Sequence, residues 1–258
     1  MAFDTATVTS VDGLIRAVHE IYKEAHQRWW FRGQTDARWH LVPKVWRTHD
    51  AQTERYLTNL FYQGAKLRHA QFPIDEDYAG WLALMQHYGL PTRLLDWSES
   101  PLIGAYFAVK YERDASIEGF GDTRPSDAAV WMLSPSRLNA AQRYEPVFPS
   151  LNAASVQPLV TSAFKSRGEQ PQHEVLAAVP VNQDLRMVMQ QGAFTIHATA
   201  KPLDSHESST TWLKKLTIPG AHVHEMALAL DLLGLRLSDV FPDLHHLSLE
   251  LTKRFRPK

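Results

Sequence analysis

Apolar residues recur at helical spacing in the first part of the chain. The segment TSVDGLIRAVHEIYKEAHQ begins with hydroxyl-bearing residues, which favour a helix N-terminus. Its large apolar side chains then fall on one side of a helix, at Leu14, Ile15, Val18, Ile21 and Tyr22. The pattern predicts an amphipathic first helix.

Three more helices are predicted in the first half of the chain. Residues 53–68 and 77–87 carry the same spacing, and Pro91 then interrupts it. The sequence SPLIGAYFAVKYE opens with serine and proline, which suit a helix cap and the first helical position. We expect a core helix over 100–111, with Phe107 buried on its apolar face.

Strand patterns are concentrated in the second half. Runs rich in β-branched and aromatic residues predict strands in WWFRGQ, AAVWMLSP, EVLAAVPV and QGAFTIHAT, with another in ESSTTWLKKLTIPG. The sequence EGFGDTRPSDA predicts a loop, and the poorly patterned residues 139–172 are expected to wind over the surface.

The last part of the chain again favours helices. Residues 222–234 predict a helix that stops at glycine, and LSDVFPDLHHLSLELTKRF predicts a short turn and a final helix. Together the elements predict an α+β fold in which N-terminal helices pack on a small mixed or antiparallel sheet. We expect a single domain spanning residues 1–258.

Composition narrows the function classes. The 258 residues include 27 basic, 28 acidic and no cysteine residues, which excludes disulfides and thiolate sites and leaves no global positive charge for nucleic acid. The N-terminus lacks the apolar run of a signal peptide, and no segment approaches the roughly 18 apolar residues of a membrane span. We therefore expect a cytoplasmic protein without membrane contact.

The first candidate site residue is Arg32 in WWFRGQ. A guanidinium at a strand end suits bidentate capture of phosphate or carboxylate, and the neighbouring Gly33 would let a ligand or another chain approach the backbone. The alternative is a structural ion pair, with Asp96 as the partner. In either case we expect the WWFRGQ strand to pack against HYGLPTRLLDW, because polar groups among aromatic residues need partners.

The second candidate is the segment HYGLPTRLLDW, predicted as a turn between two helices. It places chemically capable side chains within eleven residues, at His87, Tyr88, Thr92, Arg93, Asp96 and Trp97. Arg93 and Asp96 would pair locally, and Thr92 would cap a helix. The remaining histidine and aromatic groups are of the kind that line a nucleotide pocket, although a wholly structural turn stays open.

Weaker signals lie further along the chain. RMVMQQGAFTIHA carries Gln190 and Gln191 before a strand, with His197 within it as a structural group. HVHEM and DLHHL lack the spacing of a zinc site, so no metal is expected. Neither a glycine-rich phosphate loop nor a serine elbow is present in the sequence.

In order and spacing, these blocks resemble the FRG domain, a bacterial and phage family named for a Phe-Arg-Gly motif. The motif stands at Phe31–Gly33, and the resemblance continues through HYGLPTRLLDW and MQQGAFTIH to the FPDL sequence at Phe241–Leu244. It covers nearly the whole chain. The resemblance supplies a family rather than a mechanism.

The order of residue types is also similar to that of ADP-ribosyltransferases. In those enzymes an Arg or His on an early strand holds NAD, a later segment surrounds the nicotinamide and ribose, and a late Glu or Gln completes the site. The analogy implies an NAD site, with catalytic residues Arg32, His87, Gln190 and Gln191 and binding residues Gly33, Tyr88, Thr92, Arg93, Asp96 and Trp97.

This sequence departs from that pattern at the late position. A glutamine binds the ribose hydroxyl without supplying the negative charge that a glutamate would place beside the transition state. Glu174 or Glu225 would have to supply that charge instead.

Three function hypotheses follow. The first is an ADP-ribosyltransferase-like enzyme or NAD hydrolase that acts as a toxin or defence effector. Its substrate would be a nucleotide, its acceptor a protein or nucleic acid, and its partner an antitoxin or neighbouring defence protein. The second is a non-catalytic module that binds a nucleotide, nucleic acid or protein. The third is a metal-free nuclease that uses His87 and Arg32.

Overall fold

The computed structural model of the protein describes residues 5–68, 72–110, 126–180 and 185–255. Residues 118–125 of the loop predicted at EGFGDTRPSDA lie outside the described residues, and Ala128 at its end begins a strand. Within the described ranges the chain forms twelve helices and one mixed sheet of seven strands, so the predicted α+β class is confirmed.

The sheet has the order β1-β7-β4-β2-β3-β6-β5. Neighbouring strands are antiparallel except β1 and β7, which are parallel. The strands are β1 (Thr5–Thr7), β2 (Trp30–Gln34), β3 (Leu94–Ser98), β4 (Ala128–Leu133), β5 (Val175–Ala178), β6 (Gly192–His197) and β7 (Leu213–Ile218).

The helices surround this sheet, and a short 3-10 turn spans Leu203–Ser205. In chain order they are α1 (Val11–Ala25), α2 (Lys44–Thr48), α3 (Ala51–Ala65), α4 (Tyr78–His87), α5 (Pro101–Ala108), α6 (Pro135–Ala141), α7 (Gln157–Thr161), α8 (Leu185–Met189), α9 (Ser209–Trp212), α10 (Gly220–Leu232), α11 (Leu237–Val240) and α12 (Leu244–Arg254).

The predicted helix starts have a local cause that the structure shows. The Ser10 hydroxyl accepts from the Gly13 amide at the start of α1, and the Ser100 hydroxyl accepts from the Ile103 amide at the start of α5. Each bond satisfies a backbone donor that has no partner inside the helix.

The predicted turn between two helices is wrong in its second half, because LLDWS forms the central strand β3. Leu94 and Leu95 point to opposite faces of the sheet and are both buried. A strand covered on both faces lacks the alternation of apolar and polar residues that marks a half-exposed strand. The sequence LLDWS therefore shows no pattern that would predict a strand.

Residues 139–172 do not simply wind over the surface. Leu151, Val156, Leu159 and Val160 are fully buried in a cluster with Trp81 and Phe194. The short helix α7 packs between α4 and β6. A five-residue helix opened by proline is too short to display helical periodicity, so its burial is set by tertiary contacts.

One face of the sheet carries two separate apolar clusters. The first packs α1, α5 and α10 on β2 and β4, and the second packs α4 and α7 on β3 and β6. Between them, β2 and β3 pair only at Phe31 and Ser98. Beyond that bridge the two central strands separate, and the space between the helical layers stays open.

Candidate functional site

A cleft of about 630 Å³ lies where β2 and β3 separate. Its walls come from both strands and from α4, α5 and α8. Along its first part α4 contributes the small residues Ala79, Gly80 and Ala83, and at its end it contributes Leu84, Gln86 and His87. The volume lies within the range of natural ligand and cofactor sites.

Arg32 bridges the gap between the separated strands. Its Nη1 donates to the backbone oxygen of Asp96 at 2.7 Å and lies 3.9 Å from the Asp96 carboxylate. The expected contact of WWFRGQ with the later segment is therefore present. The Arg32 side chain is 19% exposed, and its Nε–H has no acceptor among the described residues.

The electrostatic state of Arg32 follows from burial. Desolvation lowers the pKa of Arg32 from its ordinary value to about 10, the Asp96 charge opposes this shift, and the Arg47 charge adds to it. The guanidinium remains charged at neutral pH. A buried cation with a free donor is ready to receive an anion, since the anion would replace the lost hydration.

Asp96 is held by a second chain of hydrogen bonds. The Gln86 amide nitrogen donates to both Asp96 carboxylate oxygens, at 2.9 and 2.8 Å. The buried Thr92 hydroxyl donates to the Gln86 oxygen and accepts from the Leu94 amide. Thr92 therefore fixes which end of the Gln86 amide faces Asp96, whose side chain is still 55% exposed.

Positive charge dominates the cleft lining. Besides Arg32 it includes Arg47, Lys110 and Arg186, whereas Asp96 is the only carboxylate among the described lining residues. An excess of cations in a concave site favours a ligand with more than one negative charge.

Gly33 has a structural reason to be glycine. A Cβ at this position would lie 2.2 Å from both the Ala108 nitrogen and the Gly104 oxygen of α5. The predicted close approach to the Gly33 backbone therefore exists, and the chain that approaches is helix α5. Gly33 also lines the cleft, so a ligand role for it stays a prediction.

The structure brings some of the predicted site residues together. Arg32, Gly33, His87, Asp96, Trp97 and Gln190 all line the cleft. Trp97 is only 3% exposed and donates through its indole nitrogen to Thr195, so little of its ring is available for stacking. The Gln190 amide donates to the Val240 carbonyl oxygen.

The other predicted residues lie outside the cleft lining. Tyr88 is 56% exposed, and Thr92 is fully buried behind Gln86. Gln191 is exposed with a left-handed backbone (φ 46°), and its carbonyl oxygen accepts from the Glu99 amide. The ligand roles predicted for these residues remain untested predictions.

Arg93 has a different partner from the one expected. The expected local pair with Asp96 is wrong, because the ion pair that Arg93 forms is with Glu54. The Arg93 guanidinium instead pairs with the buried Glu54 carboxylate and donates to the Leu159 oxygen at 2.8 Å and to Ser162. The contact joins α3 to the end of α7.

Neither of the two alternative glutamates lies in the cleft lining. Glu174 contacts Lys201 at 3.2 Å, and Glu225 on α10 lies 3.9 Å from His222.

Sequence reasoning did not predict Gln86 as a site residue, although it immediately precedes the motif HYGLPTRLLDW. Arg47 and Lys110 were also missed, because a single cation in a helix carries no pattern.

The described ranges contain no cluster of three or more histidine or carboxylate side chains arranged to hold a metal ion. No helix within them is both long enough and apolar enough to cross a bilayer.

Comparison with known proteins gives one match, which concerns the part of the chain around Arg32. No curated protein and no solved structure matches the chain. The family model of the FRG domain matches residues 27–116, which include β2, α4, β3 and α5. These elements supply Arg32, Gln86 and Asp96, and the predicted family is thereby confirmed: the chain carries an FRG domain at residues 27–116.

Proposed function

We propose that the cleft binds NAD and that the protein cleaves the bond between nicotinamide and ribose, transferring ADP-ribose to water or to an acceptor. One observation carries the proposal. Arg32, with an unpaired buried donor, and Asp96, the only carboxylate of the described lining, face the same cleft. NAD presents an anionic diphosphate and a ribose that becomes cationic when nicotinamide leaves.

The cations account for binding. The fork of Arg32 suits two oxygens of a diphosphate, and Arg47 is close enough for its charge to affect Arg32. A bound diphosphate neutralises these two guanidinium groups and so relieves the repulsion between them. The exposed edge of the cleft, lined by Trp39 and Phe72, offers apolar rings for the nucleobase or nicotinamide.

Asp96 accounts for catalysis. When the bond from ribose C1′ to the nicotinamide nitrogen breaks, its electron pair goes to nicotinamide, which leaves as a neutral molecule. Positive charge then develops on C1′ and the ring oxygen, where a fixed carboxylate stabilises it. An acceptor oxygen or water bonds to C1′ and loses its proton to Asp96 or to solvent. Asp96 thus supplies the charge that Gln190 and Gln191 lack.

Nicotinamide release from NAD tests the proposal. Wild-type protein is incubated with NAD in water alone and with protein or RNA extract as acceptor. We expect Asp96→Asn to lower the rate about 100-fold or more while NAD still binds. Asp12→Asn, at an exposed surface pair with Arg16, is the matched control and should leave the rate unchanged.

Other outcomes point elsewhere. NAD binding without nicotinamide release under both conditions would identify a binding module, and RNA cleavage without NAD would identify a nuclease. If neither binding nor release is found, the NAD proposal is wrong. An Asp96→Asn rate equal to that of wild type would remove Asp96 from the mechanism.

A further inference from the structure

The FPDL segment contacts the cleft through the ring of Phe241. Lys110 Nζ lies 5.1 Å from the centre of that ring, and the Arg186 guanidinium carbon lies 4.8 Å from it. Phe107 packs edge-on against the same ring, and His246 stacks on it at 4.6 Å. A single buried aromatic ring therefore positions two cations, and both line the cleft.

Neither cation is neutralised by its described neighbours. Lys110 and Arg186 form no salt bridge with any residue in the described ranges. Arg186 uses Nη1 to donate to the His87 carbonyl oxygen, which holds the guanidinium in place and leaves its other donors for a ligand. Both cations lie within about 5 Å of the same ring centre and both line the cleft, so an anion bound beside them would be attracted by two positive charges.

This pair is distinct from the pair formed by Arg32 and Arg47. Arg32 lies on β2 and Arg47 on α2, whereas Lys110 follows α5 and Arg186 lies on α8. Lys110 and Arg186 both lie against Phe241, whereas Arg32 donates to the Asp96 backbone oxygen. The cleft therefore has two separate groups of cations, and a diphosphate held by the first leaves the second unoccupied.

We propose that Lys110 and Arg186 form a second anion subsite that binds a phosphate monoester of the ligand. For the dinucleotide of the proposed function, on which this ligand identity rests, that group is a phosphate on the adenosine ribose. The preferred substrate is then NADP rather than NAD. Phe241 positions both cations from behind without contacting the ligand.

The test compares NAD and NADP, which differ only by this phosphate, in titration calorimetry with the full chain. We expect wild-type protein to bind NADP about tenfold to a hundredfold more tightly than NAD. The double variant Lys110→Gln/Arg186→Gln should bind NADP no better than NAD, so its affinity for NADP should fall by more than its affinity for NAD. Thermal unfolding of each variant confirms that it is folded.

The matched control is Lys165→Gln/Arg254→Gln. Those two cations also lie over aromatic rings, Tyr78 and Phe255, but outside the cleft lining. The control should keep the NADP preference. If it loses the preference as well, a general charge effect explains the result and the subsite is rejected.

Two outcomes separate this proposal from the previous one. Equal affinity of the wild-type protein for NAD and NADP rejects the second subsite and leaves the NAD proposal standing. If neither dinucleotide binds, the NAD proposal fails, and inorganic pyrophosphate then becomes the probe. Pyrophosphate binding that Lys110→Gln/Arg186→Gln abolishes supports an anion subsite for another ligand, and absence of such binding overturns it.

Discussion

Arg32 and Arg93, two arginines of the FRG domain, differ in how many of their guanidinium nitrogens have hydrogen-bond acceptors. All three nitrogens of the Arg93 guanidinium have acceptors, in Glu54, Ser162 and a backbone oxygen, and its side chain is 2% exposed. Arg32 has a free Nε–H and lies at the cleft. A guanidinium whose three nitrogens all have acceptors holds segments together, whereas one with an unpaired nitrogen can bind a ligand.

We predict that Arg32→Lys lowers the affinity for NAD about tenfold to a hundredfold, because an ammonium keeps the charge and loses the planar fork. Calorimetric titration of the folded variant measures the effect. Arg93→Lys is the control: it should lower the free energy of unfolding by about 3 kcal/mol or more and leave NAD affinity of the folded fraction unchanged. Normal NAD affinity in folded Arg32→Lys would assign Arg32 a purely structural role.

At the scale of elements, the contact between β2 and α5 sets the geometry of the site. Gly33 lets α5 approach the strand backbone, and Gly104 lets the helix approach Phe31 in return. The helix covers Phe31 and leaves part of Phe107 at the cleft, so the expectation of a fully buried Phe107 is wrong. Of the Phe-Arg-Gly motif, the outer residues pack the helix and the middle one faces the cleft.

We predict that Gly33→Ala is strongly destabilising. The added Cβ would meet backbone atoms of α5 at 2.2 Å, and backbone cannot move aside as a flexible side chain can. The free energy of unfolding in urea should fall by about 3 kcal/mol or more. Gly168→Ala, whose Cβ would meet nothing within 4 Å, should change it by less than about 0.5 kcal/mol. Similar values for the two variants would refute the close packing.

Element prediction succeeded where the signal was local. Capped, amphipathic helices and strands such as AAVWML are found as expected. β3 and α7 were missed because they are short and their apolar residues are buried without a helical or alternating period. The site was predicted only in part. Arg32 and Asp96 stood out in the sequence, whereas the position of Gln86 behind Asp96 depends on the β3 strand, which the sequence pattern did not predict.

At the scale of the whole molecule, burial affects the dependence of stability on pH. His197 on β6 is buried, and its Nε2 hydrogen-bonds the Thr195 hydroxyl that also accepts from Trp97. Desolvation, together with the charges of His206, Arg32 and Arg93, lowers the pKa of His197 from 6.5 to about 3. The folded protein therefore binds this proton more weakly than the unfolded chain does.

We predict that the stability contributed by neutral His197 is complete above pH 6.5. It falls as the pH drops toward 3, because only the unfolded chain gains the proton, with a slope of up to about 1.4 kcal/mol per pH unit. Urea unfolding between pH 7 and 4 measures this slope. It should decrease in His197→Gln and stay unchanged in His19→Gln, an exposed control. Parallel curves for all three proteins would contradict the assignment.

Features that depend on neighbouring residues could be derived from the order of amino acids alone. Helix caps, helical faces and the FRG motif rest on bonds and contacts within a few positions of the chain. The folded arrangement was needed to show which strand lies beside β2, which carboxylate pairs with Arg93, and how the cations divide into two groups. Those outcomes depend on strand register and helix packing between residues as distant as Arg32 and Asp96, and no local pattern encodes them.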